Sequence, residues 1–183
     1  MASSVTPDIA GLRALSHPVR LKMLGLLRTE GPATATTLAQ RLDLNTGATS
    51  YHLRQLAQHG FILEDTERGN ARDRWWRAAH DSTRTDFEGQ GESEEDIEAY
   101  LLTVALAYGD RLRAAVAEMH SLPEPWRKVG TLSDWERSLT PPGAQALVER
   151  LTAIIEETPH SDDETAAPFA VNLNAFPRPG AHT

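Results

Sequence analysis

The residues with chemistry to offer are concentrated between positions 34 and 79. If the segment from Thr46 to about Gln58 is helical, Thr49, Leu53 and Leu56 share one face and Thr46, Gly47, Ser50, Tyr51, Arg54, Gln55 and Gln58 point away from it. Hydroxyls and a glycine near a helix N-terminus let the backbone come close to base edges and phosphates, and the guanidinium of Arg54 can fork onto a guanine or a phosphate. Just downstream, Arg68, Asn70 and Arg72, followed by Arg74 and Arg77, stud a loop and a strand-like run. Taken singly, the first pattern is an ordinary solvated helix face and the second an ordinary charged loop. A cationic loop placed directly after such a helix points to phosphate or minor-groove contact.

The neighbouring residues are suited to holding that face in place. Thr34 is expected to cap a short helix carrying Leu38, Ala39 and Leu42 inward. Asp43-Leu44-Asn45 then makes a turn in which Asp43 tolerates a left-handed conformation, Leu44 plugs the core and Asn45 caps the second helix. Gly60 ends that helix. Phe61 to about Asp65 and Asp73 to Arg77 read as strands joined by a loop, Glu67 to Arg72, that contains Gly-Asn. Trp75 and Trp76 alternate, so one ring packs inward and the other covers a flank or a partner.

Two supporting helices come first. Thr6 as N-cap, Pro7 at the first helical position and Asp8 in the first turn precede Ile9, Leu12 and Leu15 at helical spacing. Ser16 is expected to cap the next helix, with Pro18 just inside it, Val19, Met23, Leu26 and Leu27 inward, and Gly31-Pro32 as the stop. His17, beside a cap and a proline, reads as a structural first-turn residue rather than a ligand.

On these residues the chain resembles the ArsR-type winged helix-turn-helix transcriptional regulators, in a subgroup with an extended C-terminal region. The resemblance rests on LRALSHPVRLKMLGLL, on TSYHLRQLAQHGFI and on RGNARDRWWR, between Leu12 and about Ala79. The LSDWERSLTPPGAQALVERL and VNLNAFPRP stretches are similar to the subgroup's C-terminal region. Asp43 stands where related readers often have glycine. The resemblance implies that Thr46 to Arg54 enters the major groove of an operator and that the protein acts as a dimer.

Charge is unevenly divided. The formal net charge is −8, but up to residue 80 there are 10 Lys and Arg against 7 Asp and Glu, a net of +3. The remaining residues carry 8 against 19, a net of −11. Screening over roughly 8 Å at physiological salt makes the local balance of the head decisive for docking, while the acidic remainder repels non-specific DNA. With no cysteine there is neither a disulfide nor a thiolate metal site. MASSVTPDIAG lacks the pattern of a signal peptide and LLTVALAYG is too short to span a bilayer, so a cytoplasmic, nucleoid-associated protein without a membrane partner is expected.

Beyond residue 80, HDSTRTDFEGQGESEE reads as a linker, with Ser93 a candidate N-cap. Glu94 to His120 reads as one long helix of roughly 40 Å, with a stripe of Ile97, Leu101, Val104, Tyr108, Leu112, Val116 and Met119. That stripe can pair with a symmetry mate, pack under the chain's own C-terminal region, or do some of each; a cofactor box is the least favoured reading. Trp135, Arg137 and Leu139 alternate, as do Phe169, Val171 and Leu173, which suggests two strands pairing with each other. Between them Thr140-Pro141 caps a helix with Ala144, Leu147, Leu151 and Ile154 inward. Tyr100, Tyr108, Met119, Trp126, Trp135 and Phe169 form either a ligand pocket or an ordinary small core.

Enzyme signatures are missing: there is no Gly-rich phosphate loop, Gly-x-Ser-x-Gly, His-Glu-x-x-His or cysteine nucleophile. The seven histidines are scattered, and Asp110 and His120 stand ten apart, too far to share a metal ion within one chain. The expected fold is mainly α with a small β component. It comprises a winged helix-turn-helix domain over 6–80, a linker over 81–93, a dimerisation and candidate effector region with a long helix and a small α/β part over 94–176, and a disordered tail over 177–183. The expected function is a homodimeric reader of a palindromic double-stranded operator, acting as a repressor tuned by a non-metal ligand or a partner, with no cofactor and no metal. The alternative is a protein-interaction module with the same shape that does not read DNA.

Overall fold

A computed structural model describes residues 3–68, 73–84 and 94–180. It is mainly helical, and the chain divides into two compact units, Ala2–Val116 and Ala117–Thr183. The division falls inside the long helix, so the head includes most of that helix as well as residues 6–80.

In the first unit, α1 (Ile9–Leu15) and α2 (Pro18–Thr29) support α3 (Ala35–Leu42) and α4 (Thr46–Gln58). Leu12, Leu15, Met23, Leu24, Leu38, Leu53, Leu56, Phe61 and Ile62 interlock as the core, each at most 3% exposed. Several helix starts differ from expectation by one or two residues. Asp8, not Thr6, caps α1, accepting the Gly11 N–H at 2.7 Å. His17, not Ser16, caps α2, its Nδ1 accepting the Val19 N–H at 3.2 Å with Pro18 in the first position. Ser16 instead closes α1, donating its hydroxyl to Leu12 O at 2.8 Å. Its helical backbone leaves only His17 with the extended conformation that an N-cap requires.

The sheet that follows has the order β2-β4-β3, all antiparallel, from β2 (Ala33–Thr34), β3 (Ile62–Glu64) and β4 (Trp75–Ala78). Trp76 is the ring that packs inward. The first strand was not anticipated, because Thr34 also caps α3. The tip of the hairpin, residues 69–72, lies outside the described residues. A second pairing, β1 (Ser4–Val5) parallel to β5 (Ser82–Thr83), draws part of the expected linker onto the head. Arg28 secures it, donating from Nε to His80 O at 2.8 Å and from Nη2 to Thr83 Oγ1 at 2.9 Å. Residues 85–93, including the candidate cap Ser93, lie outside the described residues.

α5 (Glu94–Glu118) lies against the head through Ile97, Tyr100 and Val104. The Thr103 hydroxyl donates to Ser16 O at 2.9 Å, and Asp96 accepts from Arg13 at 2.8 Å. The docked stripe is thus turned from the expected one: Leu101 and Leu112 are both 41% exposed, and Val116 and Met119 are also open to solvent. Leu101, Leu102 and Leu106 make this helix apolar on more than one side, so periodicity leaves two candidate faces and the shape of the head selects one.

The second unit holds a single 3-10 turn (Met119–Ser121), α6 (Glu124–Val129) and α7 (Pro141–Glu157). Thr140 caps α7 as expected, accepting the Gly143 N–H at 3.3 Å. The α/β character expected here is not found. Trp135 to Leu139 and Phe169 to Leu173 are not strands, and each lacks the backbone ladder that would make it one. A five-residue alternation forms a strand only when a second strand takes up its backbone groups. None of the described side chains in this unit is buried, including Leu147, Leu151 and Ile154 of α7.

Candidate nucleic-acid interface

Asn45 sets the start of α4: its Oδ1 accepts the Ala48 N–H at 2.8 Å, and its backbone carbonyl accepts the Thr49 hydroxyl at 3.1 Å. Thr49, Leu53 and Leu56 are completely buried, which fixes the rotation of the helix about its axis. Just before it, Asp43 takes the left-handed conformation (φ 53°, ψ 50°), as its place in the turn predicted. The consequence is an outward face in which Thr46, Gly47, Tyr51 and Arg54 are exposed and Ser50 is half-buried. A side chain at position 47 would crowd the capping oxygen of Asn45, 3.3 Å from where its Cβ would stand.

A crevice of about 320 Å³ opens between this face and the sheet. Thr34, Thr36, Thr46, Ser50, Arg54, Asp73 and Arg74 contribute its polar lining, so one carboxylate stands among two guanidinium groups. Thr34 caps α3, its hydroxyl accepting the Thr37 N–H at 3.1 Å, and Thr46 is the first residue of α4, so two helix N-termini open on the same space. Unsatisfied N–H groups and the positive ends of helix dipoles favour an anion there, and Arg54 supplies a full charge. Thr34 and Thr36 were not among the predicted contacts, although their position at the start of α3 would have been a signal for them.

The cations are not equivalent. Arg54 has no hydrogen-bond or ion-pair partner among the described residues. Arg68 pairs with Asp65 at 3.5 Å, and Arg74 pairs with Glu64 at 3.1 Å while lying 5.7 Å over the Trp76 ring. Arg68 and Arg74 are therefore partly neutralised from within the wing, whereas the exposed Arg77 side chain has no partner among the described residues. Asn70 and Arg72, the other predicted wing contacts, lie outside the described residues.

Of the six residues expected to line a ligand pocket, Tyr100 and Tyr108 belong to the first unit and Met119, Trp126, Trp135 and Phe169 to the second. Tyr100 is core of the head, 3% exposed, and Tyr108 lies under the Arg111 guanidinium at 5.8 Å. Trp126 and Phe169 stack on each other with centroids 6.3 Å apart, whereas Met119 and Trp135 are open to solvent. Docking of the α5 N-terminal half on the head is what buries Tyr100.

A family model described as a helix-turn-helix domain matches residues 15–65. Residues 15–65 are a helix-turn-helix domain. The match spans α2, α3, α4 and β3, and it supports a DNA-binding transcriptional regulator in the broad sense. No curated protein matches the sequence. Among solved structures, the chain is similar to a Lactococcus lactis ZitR mutant in apo form at 16% identity, over 78% of this chain and 83% of that one, with a TM-score of 0.35. It is also similar to the adhesin competence repressor AdcR of Streptococcus pyogenes at 12% identity, over 76% of this chain and 78% of that one, with a TM-score of 0.34. Likenesses this loose carry no argument about the helix-turn-helix domain or its surroundings.

Proposed function

We propose that the chain is a transcriptional regulator of the ArsR type that binds a palindromic operator as a homodimer, acting as a repressor tuned by a non-metal ligand or a partner protein. The observation that carries this reading is the unpaired Arg54 on an exposed face with Thr46, Gly47 and Tyr51, beside a crevice served by two helix N-termini. Such a face suits a major groove: the helix ends and hydroxyls take phosphates, and the guanidinium takes a guanine edge.

The apolar surface beyond residue 100 supports the dimer. Leu101, Leu102, Leu106, Leu112 and Val116 are exposed along α5, and none of the described side chains of the second unit is buried. Ordering so many residues costs about 1–2 kcal/mol each in backbone entropy, which burial must offset, and a second copy provides the surface for it. Two heads related by a two-fold axis place their recognition helices about 34 Å apart, or a multiple of that, along the duplex.

A protein-interaction module is the second reading. The internal pairing of Arg68 and Arg74 and the net charge of −8 favour it. Selection of bound sequences from a random duplex pool, followed by titration at low and high salt, separates the two. The regulator reading expects an inverted repeat; recovery of no enriched sequence leaves the interaction module.

A further inference from the structure

A second polar cluster lies beside the recognition helix and takes no part in the crevice described above. His17, at the start of α2, and His52, on α4, hold their rings with centroids 4.5 Å apart at 48°. Tyr51 meets His52 edge-on at 5.4 Å and is 53% exposed. Arg20, one turn into α2, is half-buried and close enough to raise the cost of a positive charge on either imidazole. Burial, which acts first, and this neighbour hold both histidines below their usual range, and burial likewise lowers Arg20.

The cluster contains cations and donors and no acid. Arg13, Arg41, Arg68 and Arg74 each hold a carboxylate partner, but Arg20 has none among the described residues, and no carboxylate acts on His17 or His52. Arg20 Nε and His52 Nδ1 are buried without a hydrogen-bond partner. The two Nη of Arg20 and both Nε2 atoms likewise have no hydrogen-bond partner among the described residues. The hydrogen bond from the Val19 N–H occupies His17 Nδ1, so neutral His17 carries its proton on Nε2 and presents a donor. A half-buried guanidinium close to two imidazoles that contact each other, with no carboxylate acting on any of the three, is a costly arrangement in the free protein. An anion at its open edge removes that cost.

We propose that His17, Arg20, Tyr51 and His52 form a phosphate-binding site on the flank of the recognition helix, taking one backbone phosphate of the operator and coupling its binding to proton uptake. The inference rests on the DNA-reading function proposed above. The source of the anion follows from position: Tyr51 and His52 are on the helix meant for the groove, and a helix in a major groove has a phosphodiester strand along each flank. Base edges contribute nothing at this site, so it adds affinity and no sequence preference. A phosphate placed there favours the imidazolium form of His52, whose Nδ1 has no hydrogen-bond partner among the described residues, while His17 keeps its Nδ1 as the cap of α2; affinity therefore rises as pH falls.

The test uses the full-length protein and a duplex selected from a random pool by the wild type, with an unrelated duplex as control. Arg20→Gln should weaken binding to both duplexes by a similar factor and flatten the salt dependence by about 0.9 per head, while Arg20→Lys retains most of the slope. Wild-type affinity should rise between pH 8 and pH 6, by at most about tenfold per pH unit for each proton taken up, and His52→Gln should reduce that rise. Imidazole resonances of the unmodified protein provide a readout that needs no variant: those of His52 should titrate at higher pH when the duplex is bound. If the wild type binds its duplex but the salt slope, the pH profile and the imidazole titrations are unmoved, the phosphate site is wrong and the DNA-reading function stands. If no duplex is selected at all, both are overturned.

Discussion

Substituting Arg54 with alanine should be far more damaging to operator binding than substituting Arg68, although both are exposed arginines on the proposed DNA face. Arg54 is unpaired, so nothing has to be broken before it forks onto a guanine. A bidentate contact of that kind is worth about 1–3 kcal/mol, or roughly 5- to 150-fold in affinity per half-site. Arg68 begins with Asp65 at 3.5 Å, and the Asp65 side chain is only 14% exposed. The Arg68 side chain is 60% exposed, and pairs open to solvent on one side in this way are worth on the order of 1 kcal/mol or less, which a phosphate contact by Arg68 must give up before it gains. It follows that Asp65→Asn, by freeing Arg68, should tighten binding by up to about fivefold. Fluorescence anisotropy with a selected duplex, at two salt concentrations, measures all three variants. The reasoning is refuted if Arg68→Ala costs as much as Arg54→Ala, or if Asp65→Asn weakens binding.

Ser50→Ala should change which operator bases are preferred, at about 1–3 kcal/mol for each lost base contact, as read by repeating the pool selection; an unchanged consensus contradicts the assignment of that face. Asn45→Ala removes the cap that accepts the Ala48 N–H and should cost about 0.5–2 kcal/mol in a denaturant melt, and no loss would mean that the cap is not holding α4 in place. Leu101→Asp with Leu112→Asp should give a folded monomer by light scattering and circular dichroism, since both residues are exposed in the single chain; a folded dimer excludes α5 as the interface. Stability should be complete above about pH 6.5 and fall as pH drops through that value. His17 and His52 are held below their usual 6.5, chiefly by burial, so near that pH the unfolded chain binds more protons than the folded one. Urea melts at pH 7.5 and pH 5.5 check the sign.

What was readable in the sequence was local. Thr34, Asn45 and Thr140 cap the helices they were expected to cap, and Asp43 takes the left-handed turn, because a cap needs one side-chain oxygen and an N–H within three residues of it. The outward face of α4 was equally legible, since burying Thr49, Leu53 and Leu56 leaves no freedom in where Tyr51 and Arg54 point. Tertiary structure decided everything that depended on a choice between equivalent partners. Ser16 and His17 are adjacent potential caps, and the helical backbone at Ser16, where α1 closes, left the task to His17. Two apolar faces of α5 compete, and the contour of the head takes the one bearing Tyr100, which buries that ring in the core. The alternating segments at Trp135 and Phe169 carry strand-like patterns, but a pattern lists only the side chains a strand would offer, and a strand exists when a second backbone accepts its hydrogen bonds. Arg68 and Asp65 were visible as charges in a loop; that each spends its charge on the other is a matter of distance, which three residues of flexible chain do not specify.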